Sequence, residues 1–285
     1  MMKKLVLLLG FLVLGNAGFS EVCELKCVEP YDLSSSASQF FSVLTGQKFL
    51  SEKIGEKIIK KAVQKNIISG EIKSNVESFS AKDLKAGRFK SLEISGKNVN
   101  IQGINVSSFN ANTLCNFNYL SEDKNGDIIF KEDMPMGISI VMTEDDINKT
   151  MESSEYKRLV ENINSFGGNF NIFNIDSTRV RIKNNKMYYA MKYSIPFVKK
   201  SKEVVLSSDL RVEKGEIKFA NTTFENNSMS VDLDKFSKLI NYINPLDFSA
   251  KILENKNAKF NIENIKIEGN SIAVDGKVII LKDKE

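Results

Sequence analysis

The hydrophobic and polar positions of this chain change period several times, and each change marks an element. From Lys48 onward, Leu50, Ile54, Ile58 and Ala62 recur every four residues, joined by Ile59, Val63 and Ile67. Lys53, Lys57, Lys60, Lys61 and Lys65 fill the intervening positions, which predicts an amphipathic helix ending near Gly70. The period then drops to two. Leu92 and Ile94 predict one strand, and Val99 and Ile101 the next, across a turn at Gly96, Lys97 and Asn98. Gly103 shifts the phase before Ile104 and Val106, where a bulge would curve the sheet. Phe109, Ala111, Thr113, Cys115, Phe117 and Tyr119 alternate with polar positions and predict a strand with Cys115 facing a core. Asn125-Gly126 is a tight-turn signal, and Pro135 precedes a further strand from Ile138 to Met142.

A second helix is predicted to open at Thr143, which can cap it, while Glu144, Asp145 and Asp146 suit the positive end of its dipole. Ile147, Met151, Leu159, Val160 and Ile163 form its apolar stripe. After Gly167-Gly168 the chain alternates again. Met187, Tyr189, Met191, Tyr193 and Ile195 share one face of a long strand, and turns are expected at Asn184-Asn185 and Lys214-Gly215. A third helix through Phe236, Leu239, Ile240 and Ile243 should stop at Pro245, and a hairpin turning at Gly269-Asn270 closes the chain. The expected fold class is α+β: a curved, mostly antiparallel meander sheet wrapped on amphipathic helices.

The first residues add a destination. Lys3 and Lys4 precede an apolar run from Leu5 to Leu14 and then small residues, the layout of a secretory signal over residues 1–20. The run is shorter than the roughly 20 residues that span a bilayer. Glu21 and Val22 before Cys23 argue against a lipoprotein cleavage site and for an exported protein, periplasmic or secreted. Residues 21–47, with Ser34-Ser35-Ser36, read as a flexible polar leader. Residues 48–285 then make one elongated domain.

Composition narrows the chemistry. The 285 residues carry a formal charge of +4 with acids and bases interleaved, unlike a phosphate-tracking stripe, so nucleic acid is not an expected partner. Histidine is absent, which removes Ser-His-Asp and Cys-His catalysis and the usual zinc sites. Three cysteines in an exported chain leave two pairings open: Cys23 with Cys27, or one of them with Cys115. Cys115 reads foremost as a small core hydrophobe. Asp123, Asn125 and Asp127 begin like a calcium loop, but Ile128 and Met134 stand where glycine and glutamate are needed, so a hairpin turn is the better reading. Glu144, Asp145 and Asp146 are consecutive on a helix and cannot converge on one atom. No catalytic residue, metal or cofactor is expected.

Two features fit an apolar ligand. The inward faces hold Met, Ile, Phe and Tyr, which can line a greasy cavity or simply fill a core. Ile195-Pro196-Phe197-Val198 runs into Lys199, Lys200 and Lys202, placing apolar residues beside cations that suit anionic headgroups.

The run from Ser91 to Ile104 is similar to the early strands of the LmeA-like phospholipid-binding family of bacterial envelope proteins. Pro135 with the following strand and Met142 to Asn148 resemble that family's strand-to-helix junction; Ile243 to Phe248 and the closing hairpin also resemble it. The resemblance covers about Leu50 to Leu281 and implies a tubular lipid-binding type of fold without a catalytic motif. The expected function is therefore non-enzymatic binding or carriage of a phospholipid or other acyl-chain lipid in the envelope, with transient membrane contact. The expected lipid-lining residues are Ile54, Ile58, Leu92, Ile94, Met187, Tyr189 and Met191. The expected membrane contacts are Phe197, Val198, Lys199, Lys200 and Lys202. The alternatives are an exported protein-binding scaffold with a packed core and a carboxylate-based glycan hydrolase.

Overall fold

A computed structural model describes residues 26–64, 67–122, 128–168, 174–195, 197–225, 240–253 and 258–283. Helices α1 (Ser36–Leu44) and α2 (Gln47–Gln64) lead into β1 (Ser69–Glu77), a short α3 (Ala81–Lys85) and β2 (Arg88–Phe89). Strands β3 (Ser91–Ile101), β4 (Ile104–Thr113), β5 (Asn118–Glu122), β6 (Ile128–Phe130) and β7 (Met134–Thr143) follow. Then come α4 (Glu144–Met151), α5 (Ser154–Gly168), and strands β8 (Asn174–Lys183), β9 (Lys186–Ser194), β10 (Lys202–Glu213) and β11 (Glu216–Phe224). Helix α6 (Pro245–Leu253) and the hairpin β12 (Ala258–Glu268) and β13 (Ser271–Ile280) finish the described chain.

The fold is mixed α+β with antiparallel pairing, and its main sheet is open. That six-stranded sheet has the order β1-β3-β4-β7-β13-β12; a four-stranded sheet runs β11-β10-β9-β8, and a small one β2-β5-β6. Two-residue turns build the hairpins. Both residues have positive φ at Gln102-Gly103, Asn184-Asn185 and Lys214-Gly215, the geometry that matches the twist of the flanking strands. The six-stranded sheet is apolar on one face, where Leu92, Ile94, Phe109, Met136, Val274 and Val278 are buried, and polar on the other. The four-stranded sheet likewise buries Val180, Met187, Tyr189, Met191, Val204 and Leu206. The two inner faces and the helices share one hydrophobic core.

Several boundaries differ from the periodic reading. Strand β3 is continuous through Gly96, Lys97 and Asn98; Asn98, at φ 50°, only shifts which positions face inward. The chain reverses instead at Gln102-Gly103. A single second helix is not formed: it divides into α4 and α5, where the Ser153 hydroxyl accepts from Tyr156 N at 3.2 Å and caps the new start. Pro135 lies inside β7 and pairs with Ile279. Residues 240–242 are helical and that helix ends before Pro245, as expected; Pro245 then opens helix α6, and Asn244 Oδ1 accepts from Leu246 N at 3.1 Å just before it. The turn at Asn125-Gly126 and the positions Phe236 and Leu239 lie outside the described residues.

The polar leader is also corrected. Residues 36–44 are helical, capped by Ser35, and the segment before them is tied to the body. Cys27 forms a disulfide with Cys115 across 88 positions of sequence. The Tyr31 ring stands 5.0 Å from that of Phe117, and its hydroxyl donates to Glu132 at 2.7 Å. Asp32 pairs with Arg88, and Ser34 bonds to Asp83 through both its backbone and its side chain. The small polar residues that look unstructured in sequence act as caps and anchors. Cys23 and the signal-like residues 1–20 lie outside the described residues.

Candidate functional site

An apolar groove lies along the inner face of the six-stranded sheet. Register explains it: Ile94, Ala111 and Ile138 sit side by side on β3, β4 and β7, as do Phe109 and Ile140, with Val278 and Phe260 completing the far wall. Gly96 has no side chain because Phe109 needs the space. A Cβ there would stand 2.3 Å from the ring. Ile138, Ile140 and Phe260 are only partly buried, so the groove opens to solvent. Its volume is about 50 Å³. A pocket that engulfs a whole small-molecule ligand usually has roughly 300–1,000 Å³.

The expected lipid-lining residues do not converge. Ile94 lines the groove, and Leu92 faces the same side of β3 within the packed core. Met187, Tyr189 and Met191 are buried under the four-stranded sheet. The Tyr189 hydroxyl lies 3.1 Å from that of Tyr156, which donates to Ile243 O at 2.6 Å. Burial pushes the Tyr156 phenol up to about 12 and the Tyr189 phenol well above its ordinary value. Ile54 and Ile58 point away from the sheet, because α2 packs on it through Ile59 and Val63 instead. Among the described residues, these side chains do not surround one hollow between α2 and the sheet.

The outward side of α2 is apolar at Phe49, Leu50, Ile54 and Ile58, each 59–62 % exposed. Helix α1 likewise turns Phe40, Phe41, Val43 and Leu44 to solvent and buries Ser42, whose hydroxyl accepts from Ala81 N. This helical pair is the site missed in sequence. Its signal was present, since four large apolar side chains fall within nine residues of the supposed leader. Phe197, Val198, Lys199, Lys200 and Lys202 are all exposed, and Phe197 is held at φ 69°.

Comparison with family models, curated proteins and solved structures finds no match to this chain.

The charged clusters have structural partners. Asp146 closes a capping box with Thr143 and also accepts from Ser107. Glu144 accepts from Ile182 N, and Asp145 pairs with Lys149, raising the lysine pKa by hydrogen bonding and charge. Asp83 is fully buried. Burial alone would raise its pKa, but hydrogen bonds from Ser34 and Ser80 and the Arg88 charge outweigh that and hold it low. An open basin of about 470 Å³ lies beside the β3–β4 turn, lined by Ile68, Asn100, Gln102, Asn105, Lys149 and Glu155 among others. Among the described residues no group of acids and cysteines is placed to hold a metal ion. No helix among them is long and apolar enough to cross a membrane. Asp123, Asn125 and Asp127 lie outside the described residues.

Proposed function

We propose that this chain is a non-enzymatic lipid-binding protein of the extracytoplasmic envelope, which holds part of an acyl chain along the open groove of its six-stranded sheet. The observation that carries this reading is the groove itself. Its walls are almost wholly hydrocarbon, yet Ile138, Ile140 and Phe260 remain accessible to a ligand. Each methylene moved from water into it is stabilised by about 0.8 kcal/mol. The small volume favours contact with a segment of a tail over engulfment of a whole lipid, so the protein would present or partly extract a phospholipid. The Cys27–Cys115 disulfide and the signal-like start favour an oxidising compartment outside the cytoplasm. The resemblance of residues 91–104 to the LmeA-like family supports the same ligand class.

The well-filled interior favours a second reading, an exported protein-binding scaffold. Native mass spectrometry of the full chain, expressed with its own leader, separates the two. The lipid reading expects co-purified phospholipid, lost in Ile140→Glu, a variant that loses some stability because the half-buried Ile140 packs on the core but keeps a cooperative urea transition. A clean apo mass, with no transfer of labelled phospholipid between vesicles, would overturn it in favour of the scaffold.

A further inference from the structure

Helix α2 distributes its charges unevenly. Placed at 100° per residue, Phe49, Leu50, Lys53, Ile54, Lys57, Ile58 and Lys60 fall within one half of its circumference. All of these are exposed. Of the two acids of the helix, Glu52 is used internally, while Glu56 lies at the edge of this half and pairs with Lys53 at 2.8 Å. Glu52 accepts from Ser78 N at 2.7 Å and from its hydroxyl at 2.9 Å, and Glu56 is half-buried beside Ser74, whose hydroxyl donates to the Glu56 carbonyl. The outward half therefore combines aromatic and aliphatic side chains with lysines; Glu56 at its edge neutralises Lys53, and Lys57 and Lys60 keep the face positive. Helix α1 adds Phe40, Phe41 and Leu44 and carries no charged residue at all.

An isolated soluble surface gains nothing from turning phenylalanines outward and burying Ser42. Two kinds of cover would repay it: a protein surface or a lipid one. The interleaved lysines decide between them. At a protein interface the buried centre is depleted of lysine, because each ammonium must be desolvated. At an anionic bilayer the same stems lie along the apolar surface while their ammonium groups reach the phosphates. Lys53, paired with Glu56, sits 5.7 Å from the centre of the Phe49 ring, so lysine stems and aromatic side chains lie side by side on this face.

We infer that the α1–α2 hairpin is a membrane-docking element that lies in the interface of an anionic bilayer, with its phenylalanines among the acyl chains and Lys57 and Lys60 at the headgroups. The site is distinct from the groove and from Phe197–Lys202, and its occupant is the bilayer surface rather than one extracted lipid.

Co-sedimentation of the full chain with vesicles of phosphatidylcholine containing phosphatidylglycerol, and of phosphatidylcholine alone, tests this. Binding is expected to the anionic vesicles and to fall as salt rises. A lysine near an anionic leaflet is worth about a fivefold change, so Lys57→Gln with Lys60→Gln should lower partitioning by roughly 25-fold. Phe40→Ser with Phe49→Ser should abolish binding even to phosphatidylglycerol vesicles. All four side chains are exposed, so the urea midpoint should hold. Lys199→Gln with Lys200→Gln should leave most of the binding intact, which separates the helix face from the Phe197–Lys202 segment. Absence of binding to anionic vesicles, or binding indifferent to both pairs of helix substitutions, would overturn the inference. So would a concentration-dependent dimer in light scattering that disappears in Phe40→Ser with Phe49→Ser, since the face would then belong to a second copy.

Discussion

At the residue scale, small polar side chains carry more of this structure than their exposure in sequence implies. Asp83 is the clearest case. Its carboxylate receives Ser34 N at 2.8 Å, and the hydroxyls of Ser34 and Ser80 at 2.6 Å, with Arg88 at 3.7 Å. Its pKa is lower in the folded chain than the ordinary 3.8. A group of this kind binds its proton more readily when unfolded, so its stabilisation is present above the unfolded pKa. It is lost as pH falls through the folded one. Asp83→Asn should therefore cost about 2–3 kcal/mol near neutral pH. It should also flatten the fall in urea midpoint between neutral and strongly acidic solution. An unchanged acid slope would show that other carboxylates govern acid unfolding. The Ser34 contacts are out of reach of sequence reasoning, because Ser34 and Asp83 meet across 49 positions, whereas Ser80 is the local cap three positions away.

At the element scale, local rules hold where the partners are local and fail where packing chooses. The Thr143 cap and its acids are legible because the capping box closes within three residues. Thr143→Ala is expected to cost about 1 kcal/mol in chemical denaturation, through loss of that box. Gly96 was misread as a turn because glycine signals both reversals and close approach. The ring of Phe109, thirteen positions away in sequence, makes it the second. Gly96→Ala should destabilise the chain by about 1–3 kcal/mol, as overpacking does. Pairing it with Phe109→Leu should recover part of that loss in the same urea titration. Additivity of the two changes would argue that ring and glycine are not coupled.

At the scale of the whole molecule, the described N-terminal segment is fastened to the sheet by one covalent link and a set of polar and aromatic contacts. Cys27–Cys115 closes a long loop, and loss of such a link typically costs about 2–5 kcal/mol. Cys115→Ser should lower the urea midpoint by a corresponding amount. Reductant should lower the parent chain similarly and leave the Cys115→Ser chain unaffected. Helix α1 follows directly after the anchored residues, so the disulfide also sets where its exposed phenylalanines are displayed.

The periodic pattern alone determined that the chain is α+β, that its strands are joined by tight turns, and that α2, α4 and most strands occur where they do. These properties depend on neighbours a few residues apart, which a single sequence records. Tertiary structure alone decided which apolar stripes are core and which are surface. Ile54 and Met191 belong to equally regular stripes, yet one faces solvent and the other is sealed. The choice was made by elements far away in sequence: β1 took the Ile59 and Val63 side of α2, and the helices beneath the four-stranded sheet closed over Met187, Tyr189 and Met191. An amphipathic period fixes the direction of a face but does not name what covers it. For that reason the groove and the outward helical pair emerged only once the chain was folded.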